Sequence, residues 1–172
     1  MNISFVKLIE IDQKSSNYLA SLDNPLLKKA LGVLTHLGTG AFWIPIYGLS
    51  LIFFHNDFAQ LISTLILAEV IGLLTIIILR YITKRKRPVA KYKPFFLAPW
   101  NRYSFPSHHA LRSFLIAVIL GTDFPNLLPF LLVMAATIGF TRLYLSKHYL
   151  SDVLVGALIG ILLGMESPRL LF

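Results

Sequence analysis

The 172-residue chain contains no cysteine. That excludes a disulfide scaffold, a thiol nucleophile and a cysteine-ligated metal. Charge is also scarce: 14% of residues are Asp, Glu, Lys or Arg, against about 25% in an average globular domain. Acidic residues are the rarest class, with 8 Asp and Glu against 16 Lys and Arg, for a formal net charge of +8. No internal repeat and no low-complexity linker breaks the chain, which reads as one domain over residues 1–172. Met1–Lys14 carries Lys7, Glu10 and Asp12, so it has no apolar stretch of the signal-peptide kind. What remains is strongly apolar. Hydrophobic residues make up 56% and the mean hydropathy is +0.70. Disorder, a fibre and a polar solenoid are excluded. An all-α polytopic membrane helix bundle is expected. Its basic residues sit mostly between apolar runs, so anionic lipid or phosphate is the expected partner rather than nucleic acid.

A transmembrane helix needs about 20 mostly apolar residues. Five stretches approach that length: Leu37–Phe54, Leu61–Tyr81, Ser107–Gly121, Leu127–Tyr144 and Tyr149–Met165. Trp43 and Tyr47 read as interfacial aromatics of the first. Asp23-Asn24-Pro25 reads as a helix start. Leu27, Ala30, Leu31 and Leu34 then share one face, which predicts an N-terminal amphipathic helix at the interface. Alternatively this helix pairs with Leu37–Phe54 as a hairpin turning at Gly38-Thr39-Gly40, giving six spans. With five spans, residues 82–106, residues 144–148 and the N-terminal segment meet on one side. Nearly every basic residue is there, with Arg169 the clear exception. Phe95, Phe96, Trp100 and Tyr103 on that side suit either interfacial anchoring or the packing of a re-entrant loop.

That side gathers an unusual set of residues. Arg80, Arg87 and Arg142 carry permanent charge and forked donors suited to phosphate oxygens. Arg142 and Asp152 stand near bilayer depth, where such residues are costly. Ser107 is a good N-cap, leaving free amides at a positive helix end. His148 and Asp152 are four apart, so they share a helix face. An Asp on one imidazole nitrogen would fix the tautomer and free the other for attack. His109 could act as general acid to a leaving oxygen. Zinc held by His148, Asp152 and His109 is the competing chemistry, and the three arginines would repel it. Lys84, Arg85, Lys86, Lys91 and Lys93 read as a topology signal. His36 and His55 read as interfacial or loop residues. Glu69 lies eleven residues before Arg80, roughly 16 Å along a helix. A carboxyl that fixes helix packing, with Arg112 as partner, is expected there.

These residues resemble the type 2 phosphatidic acid phosphatase superfamily of membrane lipid phosphatases. The family's first motif is Lys, six residues, Arg-Pro; here Arg80 is followed after six residues by Arg87-Pro88. The second, Pro-Ser-Gly-His, reads Pro106-Ser107-His108-His109. The third, Ser-Arg, five residues, His, three residues, Asp, reads Thr141-Arg142, His148 and Asp152. Arg80 in place of Lys keeps the charge but changes the grip, and Thr141 in place of Ser keeps a hydroxyl. His108 in place of Gly puts bulk where the backbone would approach phosphate, and points it out of the pocket or towards the headgroup.

The resemblance implies that His148 attacks phosphorus and becomes a phosphohistidine, that Asp152 orients His148, and that His109 protonates the leaving oxygen. It implies that Arg80, Arg87, Arg142 and the amides near Ser107 and His108 hold the phosphate, with no metal and no cofactor. The implied substrate is lipid A 1-phosphate, undecaprenyl diphosphate, phosphatidylglycerol phosphate or phosphatidic acid. No obligate protein partner is expected. The implied location is a bacterial inner membrane with the site on the outer face, whereas the positive-inside rule favours the cytoplasmic side. A non-catalytic lipid-phosphate-binding protein or transporter that keeps the pocket is the alternative. Vanadium-dependent haloperoxidases share the motifs, but they are soluble and this composition does not match them.

Overall fold

The computed structural model describes residues 3–22, 24–53, 55–88 and 98–167, and every regular element among them is helical. Seven α-helices follow in order: α1 (Ile3–Ser21), α2 (Pro25–Leu34), α3 (Gly40–Phe53), α4 (His55–Thr83), α5 (His108–Asp123), α6 (Leu128–Tyr144) and α7 (Leu150–Glu166). Lys91, Lys93, Phe95, Phe96, Arg169 and Asp23 lie outside the described residues.

Local chemistry sets several boundaries. Asn24 Oδ1 accepts from the Leu27 amide at 3.1 Å and Pro25 opens α2, so the expected helix start is met. The break expected at Gly38-Thr39-Gly40 also forms, but the chain does not double back. α2 with its 3-10 turn and α3 are bent by 44°, so they are one bent path and not a hairpin. α4 has 29 residues, with one glycine and no proline. At 1.5 Å per residue it is roughly 44 Å long, enough for a hydrocarbon core of about 30 Å.

Among the described residues, Phe58–Thr83 and Pro125–Tyr144 are each long and apolar enough to cross a membrane, and the bent α2–α3 pair brings the number to three if it is one span. α5 and α7 are shorter, at 16 and 17 residues. Exposed apolar side chains run every fourth residue along α4 (Ile66, Val70, Leu74, Ile78, Ile82) and α7 (Leu154, Leu158, Leu162). In water such continuous stripes would be a liability; against lipid tails they are the expected surface.

α5 is the central helix, packed against α4, α6 and α7. Its Leu111, Leu115, Ile116 and Ile119 meet Ile62, Leu65, Ala68 and Ile76 of α4 and Tyr47 of α3 in the core. The α5–α7 seam is built on glycine. A Cβ at Gly156 would stand 2.4 Å from the Ser107 carbonyl oxygen, and one at Gly160 2.2 Å from that of Leu111. Glycine at these positions lets the two backbones touch.

Glu69 and Arg112 form the expected pair, at 3.0 Å. Tyr47, expected at the interface, is instead buried and donates to Glu69 Oε1 at 3.0 Å. Glu69→Gln keeps the shape but strips Arg112 of its counter-charge. Breaking a buried pair costs about 3–5 kcal/mol. The variant should therefore melt several degrees lower in detergent, while its folded fraction keeps its catalytic rate. An unchanged melting temperature would show that the pair contributes nothing to the fold.

Candidate active site

Four helix ends supply the site, each shaped by its own sequence. α4 closes in a left-handed residue, Lys84 (φ 47°), whose amide donates to the Arg80 carbonyl at 3.0 Å. This ending turns Arg85 and Arg87 back towards the bundle. Arg142 lies in the last turn of α6, and Ser146 (φ 51°) bends the chain so that the Lys147 and His148 amides both donate to the Arg142 carbonyl, at 3.0 and 3.2 Å. Ser107 caps α5 in an extended conformation, and its amide donates to the Asp152 carbonyl at 2.9 Å. The starts of α5 and α7 are thereby tied together.

The buried Arg87 guanidinium lies against His148, with Nη1 3.0 Å from Nε2. Arginine only donates, so Nε2 accepts and the ring proton is on Nδ1. That nitrogen faces Asp152 Oδ2 at 3.6 Å, longer than a hydrogen bond. Arg87 also donates to the Lys147 carbonyl at 2.7 Å. Arg80 and Arg87 both donate to Asn101 Oδ1, at 3.0 and 3.1 Å. Arg80 reaches the Pro106 carbonyl as well, at 3.2 Å. Arg142 donates to Thr35 Oγ1 at 2.8 Å. Burial, then Arg87, Arg142 and Arg80, hold the His148 imidazole well below its ordinary pKa, so it is neutral. Burial and the guanidiniums of Arg142 and Arg87 also lower Lys147.

His148 and Asp152 are close, but not by sharing a helix face. His148 precedes α7, Tyr149 is the N-cap, and the Tyr149 amide donates to Asp152 Oδ2 at 2.9 Å. The turn, rather than a helical repeat, aims the carboxylate at the ring. His109 lies beside Gly38, where a Cβ would stand 3.1 Å from its Cδ2. His108 is half-buried, in the field of Arg112 and Arg80. His36 is exposed in the turn after α2. Among the described residues no three His, Asp or Glu side chains form a metal-binding group.

Three contributors escaped the sequence reading. Asn101 sits between two arginines in a stretch with no periodicity. Arg85, read as a topology charge, donates to Asp152 Oδ1 at 2.7 Å and to Asp12 Oδ2 at 2.6 Å. Asp12, read only as a break in a signal peptide, is almost fully buried (1% exposed). A carboxylate in the middle of an otherwise ordinary helix was the only hint.

The four helix ends bring the Arg80 and Arg87 guanidiniums onto one acceptor, Asn101 Oδ1, beside a neutral His148 whose Nδ1 faces the buried Asp152, an arrangement that suits phosphate oxygens. The sequence model of the PAP2 superfamily matches residues 58–172. The chain belongs to the PAP2 superfamily. Phosphatidylglycerophosphatase B of Bacillus subtilis (strain 168) is 28% identical over 166 residues, covering 88% of this chain and 79% of that protein. The undecaprenyl-diphosphatase of Sulfolobus acidocaldarius is 29% identical over 163 residues, covering 92% and 73%. The fold matches the crystal structure of a transmembrane PAP2-type phosphatidylglycerolphosphate phosphatase from Bacillus subtilis, with a TM-score of 0.78, 22% identity, and coverage of 95% and 86%. This PAP2 protein is a membrane protein and a phosphoric ester hydrolase.

Proposed function

We propose that the chain removes phosphate from a membrane lipid through a covalent phosphohistidine on His148. The observation that carries this reading is the placement of His148: a buried ring with Nδ1 towards Asp152 and Nε2 against the Arg87 guanidinium. In the reaction, Nε2 leaves Arg87 and attacks phosphorus. The N–P bond forms as the bond to the lipid oxygen breaks, and His109 gives that oxygen a proton. Asp152 balances the charge that develops on the ring. Arg80, Arg87, Arg142 and the amides after Ser107 hold the equatorial oxygens. The side-chain carbonyl oxygen of Asn101, shared by Arg80 and Arg87, is the acceptor that a phosphate oxygen replaces. Water then attacks the phosphohistidine, releasing inorganic phosphate and restoring the imidazole. No step needs a metal or a cofactor.

The apolar cavity between α3, α5 and α6 suits the tail. Its volume is about 220 Å³, and it is lined by Phe42, Trp43, Ile116, Ala117, Leu131 and Ile138, among others. Ile138 packs beside Gly38, which also touches His109, so the cavity starts next to the site. We place the chain in a bacterial inner membrane with five spans and the site on the outer face. The resemblance supports that side, and the arginines that build the site account for part of its positive bias.

The test is phosphate release by the purified protein in detergent with excess chelator. The panel is phosphatidylglycerol phosphate, phosphatidic acid, undecaprenyl diphosphate and lipid A. Release that survives the chelator is expected, and the ranking of rates names the lipid. Lipid binding without release from any of the four would favour the non-catalytic reading.

A further inference from the structure

We infer that Arg85 is a positioning residue, which sets the catalytic carboxylate from one of the six unspecified positions inside the first family motif and ties it to the N-terminal helix. The inference rests on the assignment of His148 and Asp152 above. Asp152 has two oxygens with different duties. Oδ2 takes the Tyr149 amide at 2.9 Å and faces His148 Nδ1. Oδ1 takes Arg85 Nη1 at 2.7 Å. Held from both sides, the carboxylate cannot turn about its own axis, so Oδ2 stays aimed at the imidazole. The other Arg85 nitrogen, Nη2, reaches Asp12 Oδ2 at 2.6 Å.

Asp12 is itself anchored. Its Oδ1 accepts from the Ser151 amide at 2.9 Å, and its Oδ2 accepts from the Ser151 hydroxyl. A carboxylate at the first turn of α7 satisfies an amide that the helix leaves open and complements the helix dipole. The Arg85 guanidinium also lies over the Tyr149 ring, 4.3 Å from its centroid. Two carboxylates thus share one guanidinium, and α1, α7 and the segment after α4 meet at that point. Without Arg85 the two negative groups would repel each other, and Asp152 would lose the partner that fixes its plane. Arg85 itself makes its contacts on the side of Asp152 away from His148, not in the ring of Arg80, Arg87 and Asn101.

The experiment compares wild type with Arg85→Gln, Arg85→Lys, Asp12→Asn and His148→Ala. It reads kcat, KM, inhibition by inorganic phosphate and the melting temperature in detergent. Outer partners that orient a functional histidine are worth about 10- to 100-fold. Arg85→Gln should lower kcat by that factor, with KM and phosphate inhibition within about twofold. Arg85→Lys should fall between, because lysine supplies charge without the fork. Asp12→Asn should lower kcat less, and adding it to Arg85→Gln should cost little more, since both act along one path. A kcat within twofold of wild type in Arg85→Gln overturns the inference. A loss of phosphate inhibition in step with kcat also overturns it, because Arg85 would then bind substrate directly. If Arg85→Gln does not fold, Arg85→Lys is judged by the same criteria. Full activity in His148→Ala would instead remove the mechanism on which the inference rests.

Discussion

His148→Ala is expected to lower lipid phosphatase turnover by more than about a thousandfold, the scale on which loss of a nucleophile acts. The ring is buried and packed by the Arg87 guanidinium, and alanine leaves a small cavity next to several cations. Phosphate should therefore still bind the folded variant. Acid-quenched wild-type enzyme should carry phosphate on histidine, and the variant should carry none. The pH dependence adds a second mark. Attack needs the unprotonated ring, so protonation of His148 sets an acid limb. Burial and the neighbouring arginines push its pKa down, and the acid limb of kcat/KM should fall below the ordinary imidazole value of about 6.5. Rate should hold as the pH drops from 7 to 6. An acid limb centred at 6.5 or above would show that a different, solvent-like group controls the attack.

Gly156→Ala is the second large effect expected. The added methyl would stand 2.4 Å from the Ser107 carbonyl oxygen and 3.3 Å from the Ser107 nitrogen. Neither atom belongs to a flexible side-chain end, so the start of α5 and the start of α7 must move apart. Overpacking of this kind costs about 1–3 kcal/mol, sometimes more. The catalytic loss should be larger than that, because the Ser107 amide and the Asp152 carbonyl bond across the same contact. A displacement of about 1 Å in a catalytic constellation can remove 100-fold in rate. A methyl added at Gly32 in α2 would meet nothing within 4 Å, which makes Gly32→Ala the control; it should keep full activity. If Gly156→Ala matched that control in kcat and in melting temperature, close α5–α7 contact would have no catalytic consequence.

The sequence displayed much of this site through spacing. Arg80, Arg87, Ser107, Arg142, His148 and Asp152 were legible because the helix ends they mark face the same side whenever the spans alternate. The seam between α5 and α7 was not, since Gly156, Gly160 and Gly164 lie in an apolar run and look like filler until another backbone is seen against them. Arg85 was hidden in a run of like charges. Its partner Asp12 is 73 residues away, and no local pattern can report a contact of that range. The relation between His148 and Asp152 was read correctly as proximity and incorrectly as a helix face, because spacing of four is also what the residue before an N-cap and an N3 acid produce. α1 was missed as a helix of 19 residues, its charges having been weighed only against a signal sequence. Tyr47 was misplaced for a similar reason: a tyrosine in an apolar run looks interfacial, while its hydroxyl in fact serves Glu69.

The bond between Asp12 and Ser151 joins positions 139 residues apart. During synthesis residues 1–150 are made before Ser151 and Asp152 exist. Until then Arg85 has neither the carboxylate of Asp152 nor the anchored form of Asp12 to meet. On the proposed mechanism, activity therefore begins only when α7 docks, and a chain interrupted before α7 is expected to attack no lipid.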